Sequence, residues 1–363
     1  MARVPHPIKK HPAMTYKEPL LVRAGRYSMT GLLILTVLIV LYVIAWFVTS
    51  MSLRSGVQDW FEARKAEGYL ASFDEKKARI SGFPFSVKAT LSGVTFAPPK
   101  DDQGKRPWIW SHRTVDFSVV PLPWSLRTLK INLAKQQSFR SGKVSFNGTA
   151  KEFNIELDWM SDGLPDHLDV KVKDLNLEPQ TTGRGFVIKD FSLGGERLSS
   201  GNYDYNLQGS NITLPVSIAG LGRKLDEVVL RGYFDQNFAQ SGLTTNDLET
   251  WRDAGGTLEA KRVQLSYGTL SLQGNGTIAL DGELQPVGAF TARIKGFFET
   301  VERMRRVGII RGPNASMAKV VLGGLAKPAT SGGPSTISLP LTLQDKALFA
   351  GQVRLVEMPT IEW

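Results

Sequence analysis

Four histidines are present, and two of them, His6 and His11, stand in the N-terminal tail. Imidazole chemistry therefore rests on His112, which follows Trp-Ile-Trp-Ser ahead of a strand, and on His167, inside Asp-Gly-Leu-Pro-Asp-His-Leu-Asp. Asp162, Asp166 and Asp169 surround His167 and could face a hard cation, but they lack the ligand spacing and turn glycine of a calcium loop. They read as a solvated acidic turn, and a lone histidine in a loop reads as a surface residue. No HExxH, GxSxG, phosphate-binding loop or GxGxxG pattern occurs. Paired carboxylates for hydrolysis meet in space and leave no spacing signature, and none stands out here. The absence of cysteine excludes disulfides and thiolate metal sites. The sequence thus assigns no catalytic residue, no metal and no cofactor.

What does recur is apolar side chains at strand spacing. Phe83, Phe85, Val87, Ala89 and Leu91 fall on one side of an extended chain, with Pro84, Ser86, Lys88, Thr90 and Ser92 on the other. Trp108 and Trp110, two residues apart, would share a face suited to stacking on a sugar or packing on an acyl chain, with core packing as the plain alternative. Trp124 follows Pro121 and Pro123, which favour a sheet edge or a strand end. The face formed by Phe83, Phe85, Val87, Leu91, Trp108 and Trp110 either closes on a core or stays open as an apolar groove for a guest.

The elements that must position this face begin with an anchor. No charged residue occurs from Tyr27 to Leu53. The core of that run, Gly31 to Met51, reaches about 30 Å as a helix, the thickness of a bilayer's hydrocarbon layer. Trp46, Phe47 and Val48 near its end do not resemble a cleavage site, so the run reads as an uncleaved membrane span over residues 27–52. Before it lie Arg3, Lys9, Lys10, Lys17, Arg23 and Arg26 against Glu18 alone. Positive charge stays inside, so residues 1–26 form a cytoplasmic tail and the rest is translocated. The formal charge of +10 then leaves +5 diluted over the translocated part, which argues against a nucleic-acid surface. Residues 53–70 carry Val57, Trp60, Phe61 and Arg64 on one helical face with Gly68 as a stop, a juxtamembrane continuation of the anchor.

Residues 71–363 read as one β-rich body. Short alternating runs recur between Gly, Asn, Asp and Pro, among them TVDFSVV, LKINL, FNIELDW, LDVKVKDLNL, YDYNLQG and DEVVLRGYF. On the order of fifteen to eighteen strands follow from this spacing, too many for a helical or doubly wound fold. Three amphipathic helices interrupt them, in TTNDLETWRDAGG, GFFETVERMRRVGIIRG and PNASMAKVVLGGL. The echo of SFNGT (145–149) in QGNGT (273–277) reads either as an internal repeat or as two hairpins on the commonest turn dipeptide. The fold class is all-β dominated with a few α-helices: an N-terminal transmembrane helix followed by large curved antiparallel sheets, as groove or sandwich.

Together, GFPF after a single anchor, PLPW, TWRDAGGTLEAKRVQLSYG, GNGTIALDGELQPVGAFTARIKG and LPLTLQDKALFAGQVRLVEMPTIEW resemble the uncharacterised bacterial family DUF2125, over residues 53–363. That family is in turn similar to the AsmA-like group of anchored periplasmic proteins, whose β-sheets curl into an apolar groove and which are implicated in lipid transport and envelope integrity. The resemblance implies an inner-membrane protein with its C-terminal body in the periplasm, and it carries over no catalytic residue. The expectation is a non-enzymatic protein holding phospholipid or other acyl-chain material in an apolar β-groove, with envelope proteins as further partners. A scaffold with a closed β core is the alternative, and an enzyme acting on envelope polysaccharide a third.

Overall fold

The computed structural model describes residues 20–100, 104–158, 164–218, 220–235, 238, 245–308, 326–327, 336–351, 353–358 and 360–361. Its first element, α1, runs without a break from Leu20 to Ala66. At about 1.5 Å per residue it is on the order of 70 Å long, more than twice a bilayer's hydrocarbon thickness. By length and composition it is the one helix, among the described residues, able to cross a membrane. Gly68 ends it: with φ +87° it turns the chain, its N–H donates to Lys65 and the N–H of Tyr69 donates to Arg64, which satisfies two orphan carbonyls.

A sheet of nineteen strands follows, every pairing antiparallel. The strands are β1 (Leu70–Ser72), β2 (Arg79–Ser81), β3 (Val87–Ala97), β4 (Trp108–Val119), β5 (Thr128–Asn132), β6 (Gln137–Ser141), β7 (Val144–Thr149), β8 (Glu152–Asp158) and β9 (His167–Pro179). Then come β10 (Phe186–Arg197), β11 (Tyr203–Ile218), β12 (Gly222–Phe234), β13 (Leu258–Tyr267), β14 (Leu270–Leu280) and β15 (Pro286–Lys295). The chain closes with β16 (Ala326–Lys327), β17 (Thr336–Gln344), β18 (Ala347–Ala350) and β19 (Val353–Glu357). The long strand β4 pairs with both β5 and β6, and β9 pairs with both β7 and β8, so these short strands lie end to end between them. From β9 to β15 each strand simply pairs with the next. Two further helices, α2 (Thr245–Asp253) and α3 (Phe297–Arg306), match two of the three amphipathic segments; the third lies outside the described residues.

Three sequence expectations change on the structure. Phe83 and Phe85 do not belong to the first long strand, which starts at Val87, because the Ser86 N–H donates to Gly82 and closes residues 82–86 into a turn. Trp108 to His112 belong to β4 itself and do not precede it. The two Asn-Gly pairs are not hairpin turns but lie inside β7 and β14. At Gly276 an added Cβ would stand 2.4 Å from the Ala289 carbonyl and from the Phe290 ring, so the glycine there answers a close neighbour, not a bend.

Helix α1 is laid along the start of the sheet. Trp46 and Leu53 pack on Val87, Ala89, Val119 and Leu129, and about two turns further Phe61 packs on Ala71, Leu91, Val94 and Val115. Leu53 and Val87 are fully buried. At the other end of the sheet Phe297 and Phe298, the first two residues of α3, pack on Ala292, Ile294, Ile337 and Leu339. Replacing Leu53 by Ala removes buried side chain at the helix–sheet contact and is expected to destabilise the body by about 2–5 kcal/mol. Denaturant titration of the full chain in detergent measures this, and an unchanged midpoint would show that α1 rests on β3 without contributing to its stability.

Candidate functional site

Direct cross-strand partners share a face, so the pairing registers can be followed from strand to strand. Ile80 faces Ala89, which faces Phe117, then Ile131, Ile155 and Val170. The row continues through Leu193, Leu207, Leu230, Val263, Gly274, Ala292 and Leu339. No polar side chain interrupts it. A parallel row runs Phe153, Val172, Phe191, Gly209, Val228, Leu265, Leu272, Ile294, Ile337, again wholly apolar. At roughly 4.8 Å per strand the first row is on the order of 60 Å long.

The two ends of this face are occupied by the chain's own helices. Val87 and Leu91, placed by the sequence on an open groove, are 0% and 3% exposed beneath α1, so no guest reaches them. The correction has a simple cause: the apolar face of the C-terminal half of α1 is the complement of the apolar face of β3. Trp108 and Trp110 are half-buried within the chain's own rings. Trp108 lies between Phe96 and Phe139, with ring centroids 6.1 and 6.2 Å away, and the Trp110 indole N–H donates to Gln137 Oε1 at 2.9 Å. Phe83 and Phe85 stand apart at the exposed turn before β3.

The middle of the face differs in what packs on it. Leu193, Leu207, Leu230, Val263, Val228 and Leu265 are half-buried, as Phe117, Ile131 and Ile155 are, but unlike those three they belong to none of the packed clusters at the two ends. These residues were missed when single strands were judged one by one, because each is unremarkable alone. The signal that marks them is the shared register, which sequence spacing within one strand does not carry. On the same face Tyr205 lies against Gly232, where an added Cβ would come within 2.6 Å of the tyrosine oxygen, and its hydroxyl donates to the Glu259 carbonyl at 3.1 Å. Burial pushes that phenol up to about 12, so it stays a neutral donor.

The chain matches, over residues 46–359, the family described as an uncharacterized protein conserved in bacteria, DUF2125. The chain belongs to that family. No curated protein and no solved structure matches it. The DUF2125 match starts at Trp46, whose indole N–H donates to the Ser86 carbonyl at 2.8 Å, and so takes in the half of α1 that packs on the sheet.

The opposite face of this DUF2125 sheet is polar along its row except at the buried Val229. Its row reads Arg79, Thr90, Asp116, Asn132, Asn154, Lys171, Ser192, Gln208, Val229, Gln264, Gln273, Arg293, Ser338. An open cleft of about 650 Å³ lies on it, lined by Lys88, Asp116, Lys130, Glu152, Glu156, Asp169 and Lys171 among others. Three charge pairs there cross between strands, Lys88 to Asp116 at 3.0 Å, Lys130 to Glu156 at 2.9 Å and Lys173 to Glu152 at 3.2 Å, and a fourth, Lys171 to Asp169, lies within β9. Burial raises the Asp116 carboxyl, but hydrogen bonds from Thr90 and Lys88 outweigh it and hold the group below the usual carboxylate range. Glu152 is likewise lowered, by Lys173. Both shifts favour the charged form, the reverse of what a general acid at neutral pH needs. Among the described residues no group of three or more His, Asp or Glu side chains could hold a metal ion. Asp166 turns to Arg197 at 2.6 Å and Arg127 at 3.3 Å, while Asp162 lies outside the described residues.

His112 is buried, against its reading as a surface residue. The Thr114 N–H donates to its Nδ1 at 3.2 Å and its Nε2–H donates to the Leu133 carbonyl at 3.0 Å, which fixes the neutral tautomer. Burial lowers its pKa below the ordinary histidine value. The unfolded chain therefore takes up this proton first as the pH falls, so the stability His112 contributes is intact above about 6.5 and is lost below that on the way to the folded-state pKa. Asp116 acts the same way in a lower window, below about 4. The loss of stability on acidification through the histidine window is expected to flatten in His112→Gln, read as denaturant midpoint against pH; parallel profiles for the two proteins would remove His112 from the account.

Proposed function

We propose that this chain is a bilayer-anchored protein of the bacterial inner membrane, N-terminus inside, whose periplasmic sheet holds the acyl chains of lipids along its apolar face. The observation that carries this reading is the unbroken apolar row from Ile80 to Leu339, closed at its ends by α1 and α3 and half-buried between Leu193 and Val263. A purely structural face has no reason to remain unfilled over that length, since each apolar side chain left in water forgoes about 25 cal/mol per Å². An acyl chain laid there gains about 0.8 kcal/mol per buried methylene and asks for few polar groups. The apolar exterior of Met29 to Met51 agrees with a span in lipid, and the basic residues before it agree with an inside N-terminus. A groove of this kind would be of the AsmA-like type. The binding residues on this reading are Leu193, Leu207, Leu230 and Val263, with Phe191 and Val228 beside them.

A second reading, a scaffold with a closed core, draws on the coverage of Val87, Leu91, Ile294 and Ile337 by the chain's own helices. A photoreactive fatty acid incorporated into phospholipid separates the two in the full chain. Cross-links mapping to β10–β13 are expected, and Leu207→Gln with Leu230→Gln should cut them several-fold while the melting profile is kept. Cross-links confined to α1 would leave only the lipid around the anchor and favour the scaffold.

A further inference from the structure

Five features meet at one end of β3 and β4. The turn Gly82–Ser86 and the segment Val120–Ser125 are neighbours, since Val87 and Val119 are direct partners in the sheet. Neither stretch contains a charged residue. Three large side chains on them are turned outward: Phe83 at 55%, Phe85 at 83% and Trp124 at 79% exposure. The first turn is tied to the apolar run of α1, because the Tyr42 hydroxyl donates to the Pro84 carbonyl and the Trp46 indole donates to the Ser86 carbonyl. Phe83 also meets Trp46 edge to face, with centroids 5.4 Å apart.

The tie fixes a height. Trp46 and Tyr42 precede Met51, the end of the apolar core of the run, by five and nine residues, so the turn sits roughly 7–13 Å back along the helix from that end. Over the same stretch the helix has two kinds of side. Trp46, Thr49 and Leu53 are buried, whereas Ile44, Phe47, Val48 and Met51 are all more than half exposed. Those four side chains need a cover on the side away from the sheet, and the turn stands at their level. We infer that the turns 82–86 and 120–125 are immersed in the outer leaflet of the bilayer beside α1, with Phe83, Phe85 and Trp124 among the acyl chains and glycerol groups. The sheet then does not hang from a flexible tether; its β3–β4 end is seated in the membrane, and its apolar face starts there.

This inference rests on α1 crossing the bilayer, and the test separates the two. The native chain has no cysteine, so Phe85→Cys, Trp124→Cys, Leu38→Cys in the span and Val144→Cys at the opposite end of the sheet each give one labelling site. Each full-length variant carries a nitroxide and is reconstituted into phosphatidylethanolamine–phosphatidylglycerol vesicles. Relaxation by oxygen, which concentrates in lipid, is compared with relaxation by a water-soluble nickel chelate. Labels at 85 and 124 should follow the label at 38, with oxygen dominant several-fold, and the label at 144 should show the reverse. If position 38 is in lipid while 85 and 124 respond to nickel as 144 does, the seating is wrong and the span stands. If 38 itself responds to nickel, the span reading fails and the seating with it. Labels at 85 and 124 shielded from both reagents would place them under protein and would equally overturn the inference.

Discussion

The contact between α1 and β3 sets the conditions for everything downstream. A helix that leaves an apolar run with Val57 and Phe61 still on one side needs an apolar surface within reach, and β3 supplies one in Val87, Ala89 and Leu91. Two indole and phenol hydrogen bonds, from Trp46 and Tyr42 to backbone carbonyls, fix the rotation of the helix about its axis. A polar donor at these positions also satisfies carbonyls of a turn that has few partners of its own. Once β3 is placed, every later strand is placed relative to α1, because each is paired back to β3 through the strands between.

Register is the second constraint. A slip of one residue at any pairing would exchange the two faces beyond that point, putting Leu207 or Val263 in a row with Gln208 or Gln264. Two of the irregularities that fall beside the row, between Arg231 and Gly232 and between Ala260 and Val263, keep Leu230 with Val263 and Gly232 with Ala260, so the apolar row survives them. Charge pairs on the other face work in the same direction. Lys88 with Asp116 and Lys130 with Glu156 stand one strand apart, and a shifted register would separate them. Each exposed pair contributes little stability, but misplacing several together costs more than any one of them.

Much of this could be read from residue spacing. Val115, Phe117 and Val119, or Leu168, Val170 and Val172, alternate cleanly and are strands; Leu248 and Trp251, three apart ahead of Gly255, are a helix. Gly68 ends α1 as its position suggested. What spacing could not show was which apolar face meets which. Val87 and Leu91 have the same pattern as Leu207 and Leu230, and only the position of α1 decides that the first pair is covered. Phe83 and Phe85 fit the alternation by spacing alone, because they stand in the turn that the Ser86 N–H to Gly82 bond closes ahead of the strand. His112 was misread for a related reason: read as a loop residue ahead of a strand it looks exposed, whereas it lies inside β4 with a backbone partner for each ring nitrogen.

The ladder is broken at the fourth and fifth positions of the sheet, and the apolar face continues across the breaks. Between β5 and β6, and between β7 and β8, the ladder is interrupted, and the chain there is held by single bonds, Leu133 N–H to Phe153, Ala150 N–H to Ala134 and Lys151 N–H to Lys173. Leu133 and Ala150, at the two breaks, are buried, and Phe153 packs both against the cluster under α1 and against the cluster of Val172, Leu175 and Leu177. Phe153 thus bridges the cluster under α1 and the cluster on β9, and it does so from β8, whose own pairings with β5 and β9 carry the apolar row past the breaks. The continuity of the apolar surface rests on those pairings and on this one shared ring.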